Sequence, residues 1–189
     1  MDTLSHALWG YALTRWRGPK TARWGAALGA APDVLYSGAA LVRRVIQGRW
    51  DDIGAGSQAG IWRRDGPPLP QPLVEDYFDF YRYTHSFVIL ALLAGIIWLL
   101  RKKPPWALAA WGLHIAMDIP SHERYLTPMF FPLSDWTVEG VSWSTPPMLA
   151  ANFGGLAIAY ALVYWRYWRR GRPPREEPWP EEREHPAPQ

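Results

Sequence analysis

Five histidine and aspartate side chains stand in or beside apolar stretches of this chain, where polar groups need partners: His6, Asp33, His85, His114 and Asp118. His114 and Asp118 are four residues apart in a helical segment, so both lie on one face and can hold one ion. An unpaired carboxylate is costly in apolar surroundings, and a bound cation removes that cost. We therefore predict that these five residues form a metal site.

The donor types limit which metal such a site can bind. The chain contains no cysteine, which excludes thiolate ligands, disulfides and cysteine nucleophiles. Imidazole and carboxylate favour a divalent ion, zinc first, with manganese, iron or nickel as alternatives. Five ligands can serve one open site or two metals bridged by an aspartate. The competing interpretation is a set of structural histidines and an ordinary Asp–His hydrogen bond.

Three further polar residues follow Asp118 in an aromatic- and proline-rich loop: His122, Asp135 and Glu139. Imidazole and carboxylate side chains transfer protons in general acid–base catalysis, so we name these three as candidate catalytic groups. Each is equally well interpreted as a solvated loop residue.

The elements that carry these residues are predicted from blocks of apolar residues separated by basic and proline-rich segments. We predict an all-α integral membrane bundle of about five helices, some of them short or re-entrant. The helices are expected from Asp2 or Thr3 to about Arg15, from about Trp24 to about Val42, and over residues 87–100, 106–119 and 148–165. The third and fourth blocks are shorter than the ~20 residues that a membrane span needs.

Several single residues indicate where the helices begin, bend and approach one another. Asp2 or Thr3 is expected to cap the first helix, and Ser86 the third. Pro32 is expected to kink or break the second helix, in which Gly25 and Gly29 allow a second helix to approach closely.

Beyond these helices, residues 43–80 are predicted to be a lid, a binding loop or disordered, with a short helix at 73–83. We divide the chain into a membrane-embedded domain, 1–172, and a disordered polar tail, 173–189.

Charge and aromatic content indicate a membrane location and an orientation. The 13 Trp and 9 Tyr suit the headgroup region of a bilayer. The net charge of +3 does not indicate nucleic-acid binding, because the basic residues form short clusters beside apolar blocks. Basic clusters at 15–23, 101–103 and 166–175 predict a membrane protein with several spans and a cytoplasmic C-terminus. The metal site then lies toward the opposite face, although arginines at 43–64 oppose this orientation.

Five segments carry a resemblance to a known family: MDTLSHALWG, APDVLY, YRYTHS, HIAMDIPSH and TPMFFPLSDWTVEGVSW. Together they resemble the membrane-bound metal-dependent hydrolases, a family that includes LexA-binding inner-membrane proteins. The resemblance covers Met1 to about Asn152 and implies that the five predicted ligands are the family's polar signature positions. Val34 and Leu35 replace a second acidic residue that many members have, and residues 81–83 replace a His-Arg-Gly. These departures weigh against two metals more than against one.

Two functions are compatible with these residues. The first is hydrolysis of a phosphoester or other ester, in which a metal activates water and the substrate is a small molecule or lipid-linked. The second is a non-catalytic metal-binding membrane protein, either a carrier or a structural partner. Membrane lipid is the expected partner in both cases. A soluble helical protein without metal is the third alternative.

Overall fold

The computed structural model describes residues 1–50, 79–123 and 126–170, and within these ranges the regular structure is entirely helical. The predicted all-α class is therefore confirmed for the described chain. The principal helices are α1 (Thr3–Thr14), α2 (Pro19–Ile46), α3 (Phe87–Arg101), α4 (Ala109–Ser121) and α5 (Pro146–Arg170). Short 3-10 turns precede α2 and α4, and residues 79–84 are helical just before α3.

Both predicted N-caps are confirmed. Asp2 has an extended backbone, and its Oδ1 accepts a hydrogen bond from the backbone N–H of Ser5 at 2.8 Å. Ser86 caps α3, where its Oγ accepts from the N–H groups of Val88 and Ile89. Each cap satisfies N–H groups that a helix cannot pair internally, so these two starts are determined locally by sequence.

Helix α2 is longer than the sequence predicted. It begins at Pro19 rather than near Trp24. The first N–H groups of a helix have no partner within the helix, so a proline, which lacks an N–H, costs no hydrogen bond at that position. Of the kink or break predicted at Pro32, the break is wrong, since the helix continues through that residue to Ile46, and the kink stays a prediction. Proline removes one internal hydrogen bond, and the packing of α2 against its neighbours outweighs that loss.

The predicted close approach of glycine-rich helices occurs between α1 and α2. A Cβ added to Gly25 would lie 2.6 Å from the carbonyl oxygen of Gly10, and one added to Gly29 would lie 2.5 Å from the carbonyl oxygen of His6. Both distances are too short for any side chain, so the two backbones are in direct contact. This contact fixes His6 against the middle of α2.

The directions of α1 and α2 are opposite. Thr3 Oγ1 donates to Asp33 Oδ2 at one end of the pair, whereas Thr14 Oγ1 lies 3.3 Å from the carbonyl oxygen of Thr21 at the other end. The start of α1 therefore lies beside the second half of α2, which is the position of Asp33.

Helices α4 and α5 run in opposite directions to each other. The Trp16 ring, just after α1, contacts Trp106, just before α4, so α4 is antiparallel to α1. In contrast, α5 runs parallel to α1, because Trp9 bonds to Asn152 and the Arg15 guanidinium lies over Tyr167 further along.

Two helices, α2 and α5, are long and apolar enough to cross a membrane by length and composition. Helix α3 is shorter, with 15 residues, and none of its residues is buried within the described protein. Its exposed apolar side chains include Leu92, Ile96 and Leu99. Helix α3 therefore presents apolar surface that the described bundle does not bury.

Two sequence predictions lie outside the described residues. The tail at 173–189 is one of them, and most of the 43–80 connection is the other. The predicted short helix at 73–83 is described only from residue 79 onward, where the chain is helical as far as residue 84.

Candidate metal centre

Four of the five predicted ligands meet in one buried group. Asp33 lies in α2, and His114 and Asp118 lie in α4. His85 directly precedes Ser86, the N-cap of α3. Each offers one nitrogen or oxygen atom, and these four atoms all lie within 4.8 Å of one another. The described chain thus gathers two imidazoles and two carboxylates that could hold a divalent metal ion.

The contacts within this group are short. His85 Nε2 lies 2.9 Å from His114 Nε2, and the two ring nitrogens lie 3.3 Å and 3.2 Å from Asp118 Oδ2. Asp33 Oδ1 lies 3.7 Å from His85 Nε2 and 3.5 Å from His114 Nε2. Each of these two carboxylate oxygens therefore lies within 4 Å of both imidazole nitrogens.

The opposite ring nitrogen of each imidazole is held by a backbone carbonyl. His114 Nδ1 donates to the carbonyl oxygen of Gly29 at 2.7 Å. His85 Nδ1 donates to the carbonyl oxygen of Tyr81 at 3.1 Å and lies 2.9 Å from Thr84 Oγ1. A carbonyl oxygen can only accept a hydrogen bond, so both Nδ1 atoms carry the hydrogen.

This tautomer decides what the group can bind. A neutral imidazole with hydrogen on Nδ1 has a lone pair on Nε2, so two lone pairs and two carboxylates face one small space. Metal-binding histidines are commonly oriented in this way, through a hydrogen bond from the other ring nitrogen to a carbonyl or carboxylate. The residues present therefore fit a divalent cation.

The group is closed on most sides. The side chains of His85, His114 and Asp118 are 1% exposed or less, whereas that of Asp33 is 13% exposed. Thr3 Oγ1 donates to the outer oxygen of Asp33 at 2.8 Å and fixes the carboxylate. Asp33 is therefore the most exposed member of the group.

His6, the fifth predicted ligand, contacts the other side of Asp118. Its Nε2 donates to Asp118 Oδ1 at 3.0 Å, and its ring stacks on His114 with centroids 3.6 Å apart. The amino group of Met1 lies 2.7 Å from the same oxygen. Oδ1 of Asp118 therefore faces cationic and N–H groups, while Oδ2 faces the two imidazole lone pairs. His6 lies outside the four-residue group, and its role as a ligand stays a prediction.

The three candidate catalytic residues occupy different surroundings. His122 Nδ1 donates to the backbone carbonyl oxygen of Asp118 at 2.9 Å, directly beside the group. Burial lowers the pKa of His122, which favours its neutral form. Asp135 and Glu139 are exposed on the loop before α5, and their roles remain predictions.

Sequence reasoning missed a polar network behind His6. Asn152 of α5 is buried, its Nδ2 donates to Ser5 Oγ at 2.8 Å, and its Oδ1 accepts from Trp9 Nε1 at 2.9 Å. Ser5 Oγ in turn donates to Asp2 Oδ2 at 2.6 Å. A signal was present, since Asn152 is an amide within the apolar block 148–165.

Comparison with protein-family models, with curated proteins and with solved structures found no match. The resemblance to membrane-bound metal-dependent hydrolases therefore stays an expectation from the sequence. The case for a function depends on the geometry of the four-residue group.

Proposed function

We propose that this protein is a membrane-bound metal-dependent hydrolase acting on a phosphoester or other ester. The observation that carries the proposal is the 2.9 Å approach of His85 Nε2 to His114 Nε2, with both Nδ1 atoms occupied by carbonyls. Two ring nitrogens this close need a proton or a metal ion between them, and the carboxylates of Asp33 and Asp118 beside them favour a divalent cation. Zinc is the first choice of metal, because two imidazoles and two carboxylates suit its four-coordinate chemistry.

The chemistry follows from the donor set and its surroundings. A divalent ion held by Asp33, His85, His114 and Asp118 would lower the pKa of a bound water and polarise an ester oxygen. In hydrolysis, water supplies a hydroxyl group to the acid product and a proton to the alcohol that leaves. His122 is the group placed to carry that proton, because its Nδ1 donates to the carbonyl oxygen of Asp118 and its lone pair is therefore on Nε2.

The substrate approaches from the side of Asp33, where the group is least closed. Val34 and Leu35, directly after Asp33, are 59% and 50% exposed. An apolar approach beside a polar centre suits an ester with an acyl or prenyl chain better than a sugar phosphate. A lipid-linked ester is therefore the substrate class that we favour.

Membrane location is the second part of the proposal. Alternating helix directions bring the ends of α1 and α5 and the start of α4 to one side, and basic residues are concentrated there. Arg17 lies over the Trp106 ring and Arg15 over the Tyr167 ring, as expected for side chains at a headgroup region. This supports a multi-pass inner-membrane protein with that side cytoplasmic and the four-residue group toward the other face.

The experiment that tests metal binding is elemental analysis of the purified full-length protein. We expect His114→Ala and Asp118→Ala to lose most of the metal, because each removes a ligand from the centre of the group. His122→Ala is the matched control, since it removes an imidazole from the same helix end but leaves all four ligand side chains in place. If both ligand variants contain as much metal as the wild type, the proposed set of metal ligands is wrong.

A non-catalytic metal site is the second candidate, and one observation favours it. Four protein ligands are the number that closed structural zinc sites use, whereas catalytic sites keep a position for water. X-ray absorption of the metal-loaded protein separates the two. A coordinated water in addition to protein ligands supports hydrolysis, whereas a shell of four protein ligands alone supports a carrier or structural partner.

A further inference from the structure

His6 differs from the two imidazoles of the metal centre in which ring nitrogen carries the hydrogen. Its Nε2 lies 3.0 Å from Oδ1 of Asp118, and an ionised carboxylate can only accept, so the hydrogen is on Nε2. In His85 and His114 the hydrogen is on Nδ1, which donates to a backbone carbonyl, and the lone pair is on Nε2. The lone pair of His6 is therefore on Nδ1, the nitrogen that does not contact Asp118.

The second ring nitrogen of His6 lacks the support that a metal-binding imidazole usually has. Metal-binding histidines commonly donate from their other nitrogen to a carbonyl or a carboxylate. His6 Nδ1 is buried, and within residues 1–50, 79–123 and 126–170 it has no hydrogen-bond partner. If His6 bound a metal through Nε2, its hydrogen would move to Nδ1 and would have no acceptor among the described residues. The observed arrangement instead keeps that hydrogen in a bond to a carboxylate.

The imidazole of His6 is held in place from two directions. It stacks on the ring of His114, with centroids 3.6 Å apart and an angle of 26° between the planes. Its backbone packs against α2, since a Cβ added to Gly29 would lie 2.5 Å from the carbonyl oxygen of His6. Stacking and backbone contact together fix this buried ring beside Asp118.

We propose that His6 is a positioning residue for Asp118 rather than a fifth metal ligand, and that the centre binds a single metal ion. The bond from Nε2 occupies Oδ1, which the amino group of Met1 also approaches at 2.7 Å. Oδ2 then faces the metal site, 3.3 Å and 3.2 Å from the Nε2 atoms of His85 and His114. A carboxylate held in this way does not bridge two metals through its two oxygens. This role rests on the proposed metal centre and decides between the one-metal and two-metal sites that the sequence allowed.

Nitrogen NMR of the full-length protein in detergent, with isotopically labelled histidine, tests this role. The metal-free protein should show His6 with its hydrogen on Nε2, and His85 and His114 with theirs on Nδ1. When zinc is added, we expect Nε2 of His85 and of His114 to shift as metal-bound nitrogens do, while His6 keeps its hydrogen on Nε2. Single histidine-to-glutamine variants assign the signals.

Two substitutions of His6 separate a positioning role from a ligand role. His6→Leu removes the donor, and we expect the zinc affinity to fall roughly 10- to 100-fold, as is common when a hydrogen-bond partner of a metal ligand is lost. The side-chain N–H of glutamine can donate to Oδ1, so His6→Gln should recover much of the affinity. Both variants should bind the same number of zinc ions per chain as the wild type.

Thr14→Val is the matched control within α1. It removes a buried hydrogen bond, from Oγ1 to the carbonyl oxygen of Gly10 at 2.7 Å, at a position about 12 Å along the helix from His6. Its zinc affinity should equal that of the wild type. A weakening in this control as large as that in His6→Leu would show that the loss comes from a loosened α1 and would overturn the positioning role.

The positioning role and the metal centre can fail separately. Equal weakening in His6→Gln and His6→Leu, a metal-bound shift at His6 Nε2, or two zinc ions per chain would overturn the positioning role and leave the metal centre in place. Wild-type protein that binds no zinc or other divalent metal would overturn the metal centre and this role together.

Discussion

The imidazole of His114 donates its Nδ1 hydrogen to the backbone carbonyl of Gly29 at 2.7 Å. This bond joins α4 to α2 and sets the tautomer that directs Nε2 at the other ligands. Gly29 also has no side chain, and this lets α1 approach α2 closely. A Cβ at Gly29 would lie 2.5 Å from the carbonyl oxygen of His6. One glycine thus positions two of the five predicted ligands.

Gly29→Ala is therefore expected to disturb the centre without removing a ligand. The added methyl group forces α1 and α2 apart, at a cost of about 1–3 kcal/mol in the free energy of unfolding. We expect lower metal occupancy and a lower melting temperature. Gly38→Ala is the control in the same helix, because an added Cβ there meets nothing within 4 Å. Equal behaviour of the two variants would show that the α1–α2 contact does not position the centre.

Much of the candidate site could be predicted from the sequence, because the spacing of His114 and Asp118 and the positions of Asp33 and His85 are local features. The Asp2 cap is equally local. The break expected at Pro32 failed because neighbouring helices stabilise α2, a contribution that lies far away in the chain. The contact of His6 with Oδ1 of Asp118 could not be predicted either, because it depends on how α1 and α4, which are far apart in the chain, pack together.

Metal should stabilise the folded protein, because the ligands converge only in the native state. An ion at a concentration about 1000 times its dissociation constant adds about 4 kcal/mol to the free energy of unfolding. We expect the melting temperature of metal-free protein to rise when zinc is added. Asp33→Asn should reduce that rise, since it removes a negative ligand while keeping the shape of the side chain.

Asp79→Asn provides the control for that measurement. Asp79 is an aspartate outside the centre, 43% exposed and paired with Arg43 and Arg82. Its substitution should leave the zinc-induced rise unchanged. If zinc stabilises the Asp33 variant as much as the wild type, Asp33 is not a ligand.

Asn152 should contribute stability through the network that joins α5 to α1. Asn152→Leu leaves the part-buried Trp9 Nε1 without its acceptor and removes the buried hydrogen bond to Ser5 Oγ, at a cost of about 1–3 kcal/mol. Unfolding of the detergent-solubilised protein measures this loss. Phe153→Leu, at a neighbouring exposed position, should have little effect. An Asn152 variant as stable as wild type would mean that the network is energetically neutral.

The proposed topology can be tested with single cysteines, because the native chain has none. Leu133 is 79% exposed in the loop between α4 and α5, and Lys103 is exposed between α3 and α4. Alternating helix directions place these two loops at opposite ends of the bundle. We expect a membrane-impermeant maleimide to label Leu133→Cys in intact spheroplasts and Lys103→Cys only after lysis.

A reporter fused after Trp165 gives an independent measurement of the same orientation and should read cytoplasmic. Labelling of both cysteines before lysis would mean that the chain does not separate two compartments. The reverse pattern, with Lys103→Cys labelled first, would place the basic ends outside and the metal centre toward the cytoplasm. In that case the arginines at 43–64, rather than the clusters at 15–23 and 101–103, determine the orientation, because basic residues are retained on the cytoplasmic side.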